Sequence, residues 1–236
     1  MFVVKRRSVI ITVVLLITAI TFIICCTALI KSSAAESVTG VKVVLDAGHG
    51  GIDGGVAGRT TGVKESEINL SIVKKLEKYF TDAGIKVVLT RSSEAGLYGV
   101  ASSTLKRRDM EKRKEIIEKA EPTLVISVHQ NFFPSSSRRG GQVFFKSGSE
   151  NSEKLASCVQ KALNGAYEDV KDYPPLTGDY YILNCTEYPS VIAECGFLSN
   201  PTDESLLITE EFQYKIAYSL FCGAIDYMAA SSIAYF

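Results

Sequence analysis

Two histidines occur in the whole chain, and each stands where a metal ligand is expected. His49 lies in Val-Val-Leu-Asp-Ala-Gly-His-Gly-Gly (43–51), and His129 in Leu-Val-Ile-Ser-Val-His-Gln-Asn (124–131). Both follow apolar runs of strand character. Their side chains should therefore emerge at the carboxyl edge of a sheet, where open α/β folds place their chemistry. Imidazole is a common zinc ligand, and a hydrolytic zinc site takes three protein ligands while leaving a position for water. The third ligand is expected to be a carboxylate. Glu65 and Glu67 compete for the role, since both follow the glycine-rich turn Gly48–Gly55 at the start of a helix; Asp53 stands behind them. The helix dipole alone favours acids at a helix N-terminus, so spacing leaves the choice open.

Glu194 is a second acidic centre, in Pro-Ser-Val-Ile-Ala-Glu-Cys-Gly-Phe-Leu-Ser-Asn-Pro (189–201). A carboxylate ending an apolar strand is costly unless it is paired or placed at an open edge. At the same edge as the histidines it is placed to take a proton from a water activated by the metal. The plainer alternative is a structural acid paired with Arg91 or Arg113.

Positioning these groups requires alternating strands and helices, and the sequence supplies them. Val41–Asp46 reads as a buried strand. Glu67–Ala83 carries Ile68, Ile72, Leu76 and Phe80 at helical spacing and is stopped by Gly84. Ile85–Thr90 reads as a strand, Arg107–Lys119 as a charged helix with a narrow apolar face, and Thr123–His129 as a strand. Gly141–Lys146 is a further strand and Ser152–Leu163 a helix. Tyr180–Leu183 and Ser190–Glu194 are expected as two more strands, and Phe212–Met228 as a closing helix. The fold class expected is α/β: one domain with a twisted, mostly parallel sheet and helices on both faces. The irregular stretch Tyr167–Asp179, with Pro174-Pro175, is the candidate for a mobile loop over the site.

The N-terminus has a different character. Ser8–Ile30 is uncharged and follows Lys5-Arg6-Arg7. That run is long enough to span a hydrocarbon core and exceeds the usual apolar region of a secretory signal. Residues 1–30 are thus expected to be a signal-anchor or signal peptide, 31–40 a linker and 41–236 the catalytic domain. Basic residues ahead of the run favour export of the chain beyond it. Length favours a retained membrane anchor, while Ser33-Ala34-Ala35 offers a cleavage point. All acidic residues lie beyond Ile30 but three of the basic ones do not, which leaves the exported part mildly acidic. That surface excludes nucleic acid as a partner. Cys158, Cys185, Cys195 and Cys222 match no zinc or redox spacing.

Taken in order, Leu45–Gly51, Lys64-Glu65-Ser66-Glu67-Ile68-Asn69-Leu70, Leu89-Thr90-Arg91, Ser127-Val128-His129-Gln130-Asn131 and Glu194–Asn200 resemble the zinc-dependent N-acetylmuramoyl-L-alanine amidases of the third amidase family. The resemblance runs from Val41 to the C-terminus. It implies hydrolysis of the amide between N-acetylmuramic acid and L-alanine in peptidoglycan, with one zinc ion on His49, Glu65 and His129 and Glu194 as catalytic carboxylate. It favours Glu65 over Glu67, because the family's ligand lies four residues before the asparagine matched by Asn69. Asp46 and Asn69 are then expected either to orient ligands or to serve as turn or helix-packing residues, Asn131 to support the site or touch substrate, and Arg91 and Arg113 to pair structurally or meet stem-peptide carboxylates. Two departures are Gln130, where the family usually has a small residue, and the Tyr180-Tyr181 pair. Gln130 is expected to narrow the substrate groove or add a hydrogen bond.

Within the family the likeness is greatest to spore-cortex members. This implies work on glycan strand and stem peptide ahead of muramic-lactam formation, an exported enzyme of the spore envelope, and a role in germination. The short link from Lys146 to Ser152 leaves no room for an inhibitory helix, so control is expected from elsewhere, either from an activating protein partner or from limited metal occupancy. Two rival readings remain. A zinc carboxypeptidase or aminopeptidase needs a dedicated arginine or a second metal. A silent wall-binding module would be expected to lose Glu194.

Overall fold

The structure, a computed structural model, describes residues 13–25, 40–99 and 104–233. Contacts divide the chain into Met1–Gly40 and Val41–Phe236. In the first unit residues 13–25 form helix α1. No described helix is long and apolar enough to cross a membrane. A span needs about 20 apolar residues, and the described part of the expected anchor is shorter. The rest of that expected segment lies outside the described residues.

The second unit is built on a six-stranded sheet. Its strands are β1 (Lys42–Ala47), β2 (Lys86–Leu89), β3 (Leu124–Asn131), β4 (Gln142–Phe145), β5 (Leu176–Thr177) and β6 (Ser190–Phe197), in the spatial order β2-β1-β3-β6-β4-β5. All neighbours run parallel except β4 and β6, which pair antiparallel. The helices are α2 (Glu65–Asp82), α3 (Leu105–Ala120), α4 (Glu150–Asn164), α5 (Tyr181–Asn184), α6 (Pro201–Leu207) and α7 (Glu210–Ile233). Helices α2, α4 and α7 pack together over one face, while α3 and α5 cover the other.

Strand periodicity explains the two faces. Leu124, Ile126 and Val128 alternate onto the α2 side with Val43 and Leu45, and all are fully buried. The opposite face carries Val125, Ser127 and His129. Register sets what stands beside each residue of that face: Val44 against Val125, Asp46 against Ser127, and His129 against Glu194. It therefore grades from apolar, under Ile117, Ile182 and Leu183, to polar at the carboxyl edge. The β3–β6 register shifts between His129 and Asn131, an irregularity of the kind common beside active sites.

Three expectations change. Tyr180–Leu183 is not a strand: the place beside β4 is taken by Leu176–Thr177, with Phe144 opposite Leu176. Tyr181–Asn184 instead makes one helical turn that buries Ile182 and Leu183. The stretch 167–179 is tied down by side chains. Gln142 Nε2 donates to the Pro174 carbonyl (2.8 Å), Asn164 Nδ2 to that of Tyr173 (3.0 Å), and the buried Tyr167 hydroxyl to that of Cys195. Helix α6 was not expected, although Asn200 caps it by accepting from the Thr202 and Asp203 amides, with Pro201 in its first turn. The link between β4 and α4 is short, as expected. No disulfide joins the described cysteines.

Candidate metal and catalytic site

The site assembles where β1, β3 and β6 end and α2 begins. His49 follows β1 with a left-handed backbone, φ 61°, a region that non-glycine residues rarely occupy. Two buried arginines hold it there. Arg113 donates to the carbonyls of Ala47 (2.8 Å) and His49 (2.7 Å), and Arg91 to those of Ala47 (2.8 Å), Gly48 (3.0 Å) and Ser66 (2.8 Å). Asp46 in turn neutralises Arg113, joined by Asp109 through Arg113 Nε at 2.6 Å. Thr90 (2.6 Å) and Ser127 (2.5 Å) complete the Asp46 carboxylate. Burial alone would raise the Asp46 pKa, but Arg113 and the two hydroxyls outweigh it and hold it near 2.

Glu65 opens α2 and is buried, accepting from the Val56 amide at 3.0 Å and the Gln130 amide at 3.1 Å. Both histidines reach it. His129 Nδ1 lies 2.9 Å from Glu65 Oε1, and His49 Nε2 lies 3.3 Å from Oε2. The imidazole rings meet edge to face with centroids 5.0 Å apart. One donor atom from each of the three residues falls within 4.8 Å of the others. Two glycines make room. A Cβ on Gly48 would fall 2.2 Å from the His129 ring, and one on Gly55 would fall 2.4 Å from Glu65 Oε2. Glu67 is exposed on α2, so packing selects Glu65.

Electrostatics matches this layout. Burial works against the imidazolium of His49, but the carboxylates of Glu65 and Asp53 outweigh it and lift the group to about 9. His129 is raised in the same way, with burial opposing and Glu65 prevailing. Glu65 is held far below the usual carboxylate range, since the two imidazoles overcome its burial. A buried carboxylate that draws two imidazoles onto itself marks a place where positive charge is wanted. Two protons or one dication meet that demand. A His-Glu-His set is also the donor set of hydrolytic zinc sites, so these residues fit the ion.

Glu194 stands beside His129 in the β6 register. Its Oε2 is buried with no hydrogen-bond partner among the described residues. Burial lifts its pKa to about 7, with His129 pulling it down and Glu65 pushing it further up. Neither arginine pairs with it, because Arg91 and Arg113 spend their donors on backbone carbonyls and on Asp46 and Asp109. That also removes both arginines as seats for stem-peptide carboxylates. The site opens into a cleft of about 770 Å³ whose walls include Ile52, Tyr98, Phe132 and Tyr180.

The remaining expected residues divide. Asn69 touches a ligand: its Nδ2 donates to Glu65 Oε1 (3.2 Å) and to the Gly48 carbonyl (3.1 Å). Asp46 makes no hydrogen bond to a ligand side chain among the described residues; Arg113 links it to the His49 carbonyl. Asn131 accepts from the next amide, Phe132 N, at 2.8 Å and lines the cleft. Gln130 is buried and donates to Asn69 Oδ1 (3.1 Å), so of its two expected roles the added hydrogen bond is seen, on the support of Glu65. Asp53 is no member of the ligand cluster; it lies 2.9 Å from His49 Nδ1, on the far side of the ring from Glu65. Sequence reading missed Asp109 and Ser127. The i, i+4 spacing of Asp109 and Arg113 on a helix, and the position of Ser127 two residues before His129, were the available signals.

Known proteins share this arrangement of chain. The family model described as N-acetylmuramoyl-L-alanine amidase matches residues 43–226. The germination-specific N-acetylmuramoyl-L-alanine amidase of Bacillus subtilis is 32% identical over 194 residues, covering 80% of this chain and 81% of that protein. The CwlD amidase of Clostridioides difficile, solved in complex with the GerS lipoprotein, superposes with a TM-score of 0.77 at 32% identity, over 81% of this chain and 100% of that one. The catalytic domain of CwlV, an amidase from Bacillus (Paenibacillus) polymyxa, gives 0.70 at 27% identity, over 80% and 98%. A match that spans the sheet, the glycine turn and the strand bearing Glu194 leaves one conclusion: the chain belongs to the N-acetylmuramoyl-L-alanine amidase family and is an amidase of peptidoglycan.

Proposed function

We propose that the enzyme holds one zinc ion through His49, Glu65 and His129 and uses Glu194 as general base and acid to cleave the amide joining the muramic lactyl group to L-alanine. The observation that carries this reading is the juxtaposition of the three donors around a buried carboxylate with the partnerless Glu194 Oε2. Zinc bound there supplies Lewis acidity, polarising the scissile carbonyl and making water a better nucleophile near neutral pH. Glu194 takes the proton of the attacking water and returns it to the amine that leaves. Asn69 and the Gln130 and Val56 amides keep Glu65 aimed. The Arg113 and Arg91 clamp keeps the His49 backbone in its left-handed turn. Ile52, Tyr98, Phe132 and Tyr180 offer apolar walls to the glycan and the first stem residue.

The biological setting is part of the proposal. The relatives with germination-specific and CwlD names support action on spore-cortex peptidoglycan, with removal of whole stem peptides from muramic acids ahead of lactam formation. The GerS complex of the C. difficile relative supports an exported protein partner for this enzyme too. The uncharged run Ser8–Ile30 behind Lys5-Arg6-Arg7 supports delivery across, and retention at, a membrane, with residues 31–40 as tether and 41–236 as the working domain.

The test is release of peptide from denuded peptidoglycan by the full chain with zinc added, read by mass spectrometry as muramic acid freed of its stem. Release that disappears in Glu194→Ala is expected. Zinc-independent release, or release untouched by that change, would sink the assignment. Zinc binding without release would point to a required partner.

A further inference from the structure

We propose that Asp53 is a positioning residue for His49, fixing which ring nitrogen of that histidine faces the metal. The inference rests on the zinc reading above. His49 has two nitrogens, and the structure separates their surroundings: Nε2 lies 3.3 Å from Glu65 Oε2, while Nδ1 lies 2.9 Å from Asp53 Oδ2. Nδ1 is buried, and the contact lies off the ideal N–H axis, since Nδ1 makes no aligned hydrogen bond. It acts as a close charge contact that favours a proton on Nδ1 and leaves the Nε2 lone pair for the ion. A carboxylate behind a ligating histidine sets its tautomer and raises its basicity.

The loop is shaped to present that carboxylate. Gly50 N donates to the Asp53 carbonyl at 2.8 Å, closing a tight turn around Ile52. Asp53 Oδ1 accepts from the Gly55 amide at 3.1 Å, which leaves Oδ2 facing the ring. Asp53 is four residues beyond His49 and half exposed, so it stays ionised without costly burial. No other described carboxylate stands beside Nδ1. His129 differs: its Nδ1 contact is with Glu65 itself. The two histidines are therefore oriented by different means: among the described residues, His49 has a carboxylate other than Glu65 against its Nδ1, and His129 does not.

The experiment measures zinc affinity of the full chain by competition with a chromogenic chelator, for the native enzyme, Asp53→Ala, Asp53→Asn and His49→Ala. Ring-nitrogen NMR of labelled histidine accompanies each zinc-loaded sample. Asp53→Ala is expected to weaken zinc about 10- to 100-fold, the usual cost of losing such a partner. In that variant the His49 ring should show coordination through Nδ1 mixed with coordination through Nε2. Asp53→Asn, which keeps the acceptor for the Gly55 amide but loses the charge, should lose affinity and mix the ring pattern much as Asp53→Ala does. Unchanged affinity in Asp53→Ala would overturn the inference while leaving the zinc site intact. Weaker binding with an unchanged ring pattern would overturn it as well, because that outcome marks simple loop support through Gly55. No zinc binding by the native enzyme, or binding unaffected by His49→Ala, would remove the zinc reading and the inference together.

Discussion

The two sides of the site are held by different physics. His49 sits in an irregular glycine turn, and its place is set by guanidinium groups that bind the carbonyls of residues 47–49. His129 and Glu194 sit on neighbouring central strands, and their places are set by sheet register. Register needs only the backbone ladder and the apolar residues beneath it. The turn needs a buried charge network, Asp46 with Arg113 and Asp109, whose members are costly when left alone. The strand side should therefore tolerate changes of its polar residues that the turn side does not.

Arg113→Ala tests this most severely. It strands Asp46 and releases the His49 carbonyl, so the expected loss of stability is about 3–5 kcal/mol, the range for breaking a buried ion pair from one side. Chemical denaturation read by circular dichroism measures it. A loss below about 1 kcal/mol, the scale of an exposed pair, would show that the turn holds itself without the clamp.

Glu194→Gln is the counterpart on the strand side. It removes the proton carrier, and activity should fall about 10²- to 10⁴-fold, the usual worth of general acid-base catalysis. Stability should stay level or rise, because a buried carboxyl oxygen without a partner is exchanged for a neutral amide. Peptide release and thermal melting on the same preparation give both values. A marked drop in melting temperature would mean that Glu194 is a structural acid after all.

Acid should weaken the turn first. The Asp46 pKa of about 2 in the fold lies below its ordinary 3.8. A depressed carboxylate adds stability that is fully present above the ordinary value and is lost as pH falls through the folded one. The Asp46 contribution, read as the difference between the native enzyme and Asp46→Asn, should hold steady down to about pH 4 and then decline toward pH 2. Asp46→Asn should be less stable at neutral pH and should lose less stability in acid. An unchanged acid slope in the variant would assign the transition to other carboxylates.

The same contrast governs what could be read from sequence. Strands β1, β3 and β6 were legible because apolar runs of their length have few other uses, and His129 and Glu194 were legible because each interrupts such a run. Helices α2 and α4 announced themselves by spacing. The edge near Tyr180 did not, since a two-residue strand and a single helical turn are too short to show a period. Glu65 was separable from Glu67 only through the family resemblance; the physical reason, one facing the core and the other solvent, belongs to packing. Arg113 was seen as a pairing candidate, but its partners Asp46 and Asp109 come from two separate elements. That union is a tertiary fact.

Asn69 is where the two sides meet, and it offers the smallest and most informative change. Its Nδ2 bridges the Gly48 carbonyl on the turn side and Glu65 Oε1 at the centre, while its Oδ1 accepts from Gln130 Nε2 on the strand side. Asn69→Ala removes all three bonds, yet Gly48 O keeps Arg91 and Glu65 keeps two amides and both histidines. The expected stability cost is about 1–2 kcal/mol, that of buried polar groups losing one partner among several. Zinc affinity should fall by about 10-fold, the low end for a residue behind a ligand. A double-mutant cycle with Gln130→Ala separates the two sides. If Asn69 couples them, the double variant costs less than the two single losses added together. Additive losses would mean that turn and strands are held independently and that only Glu65 joins them.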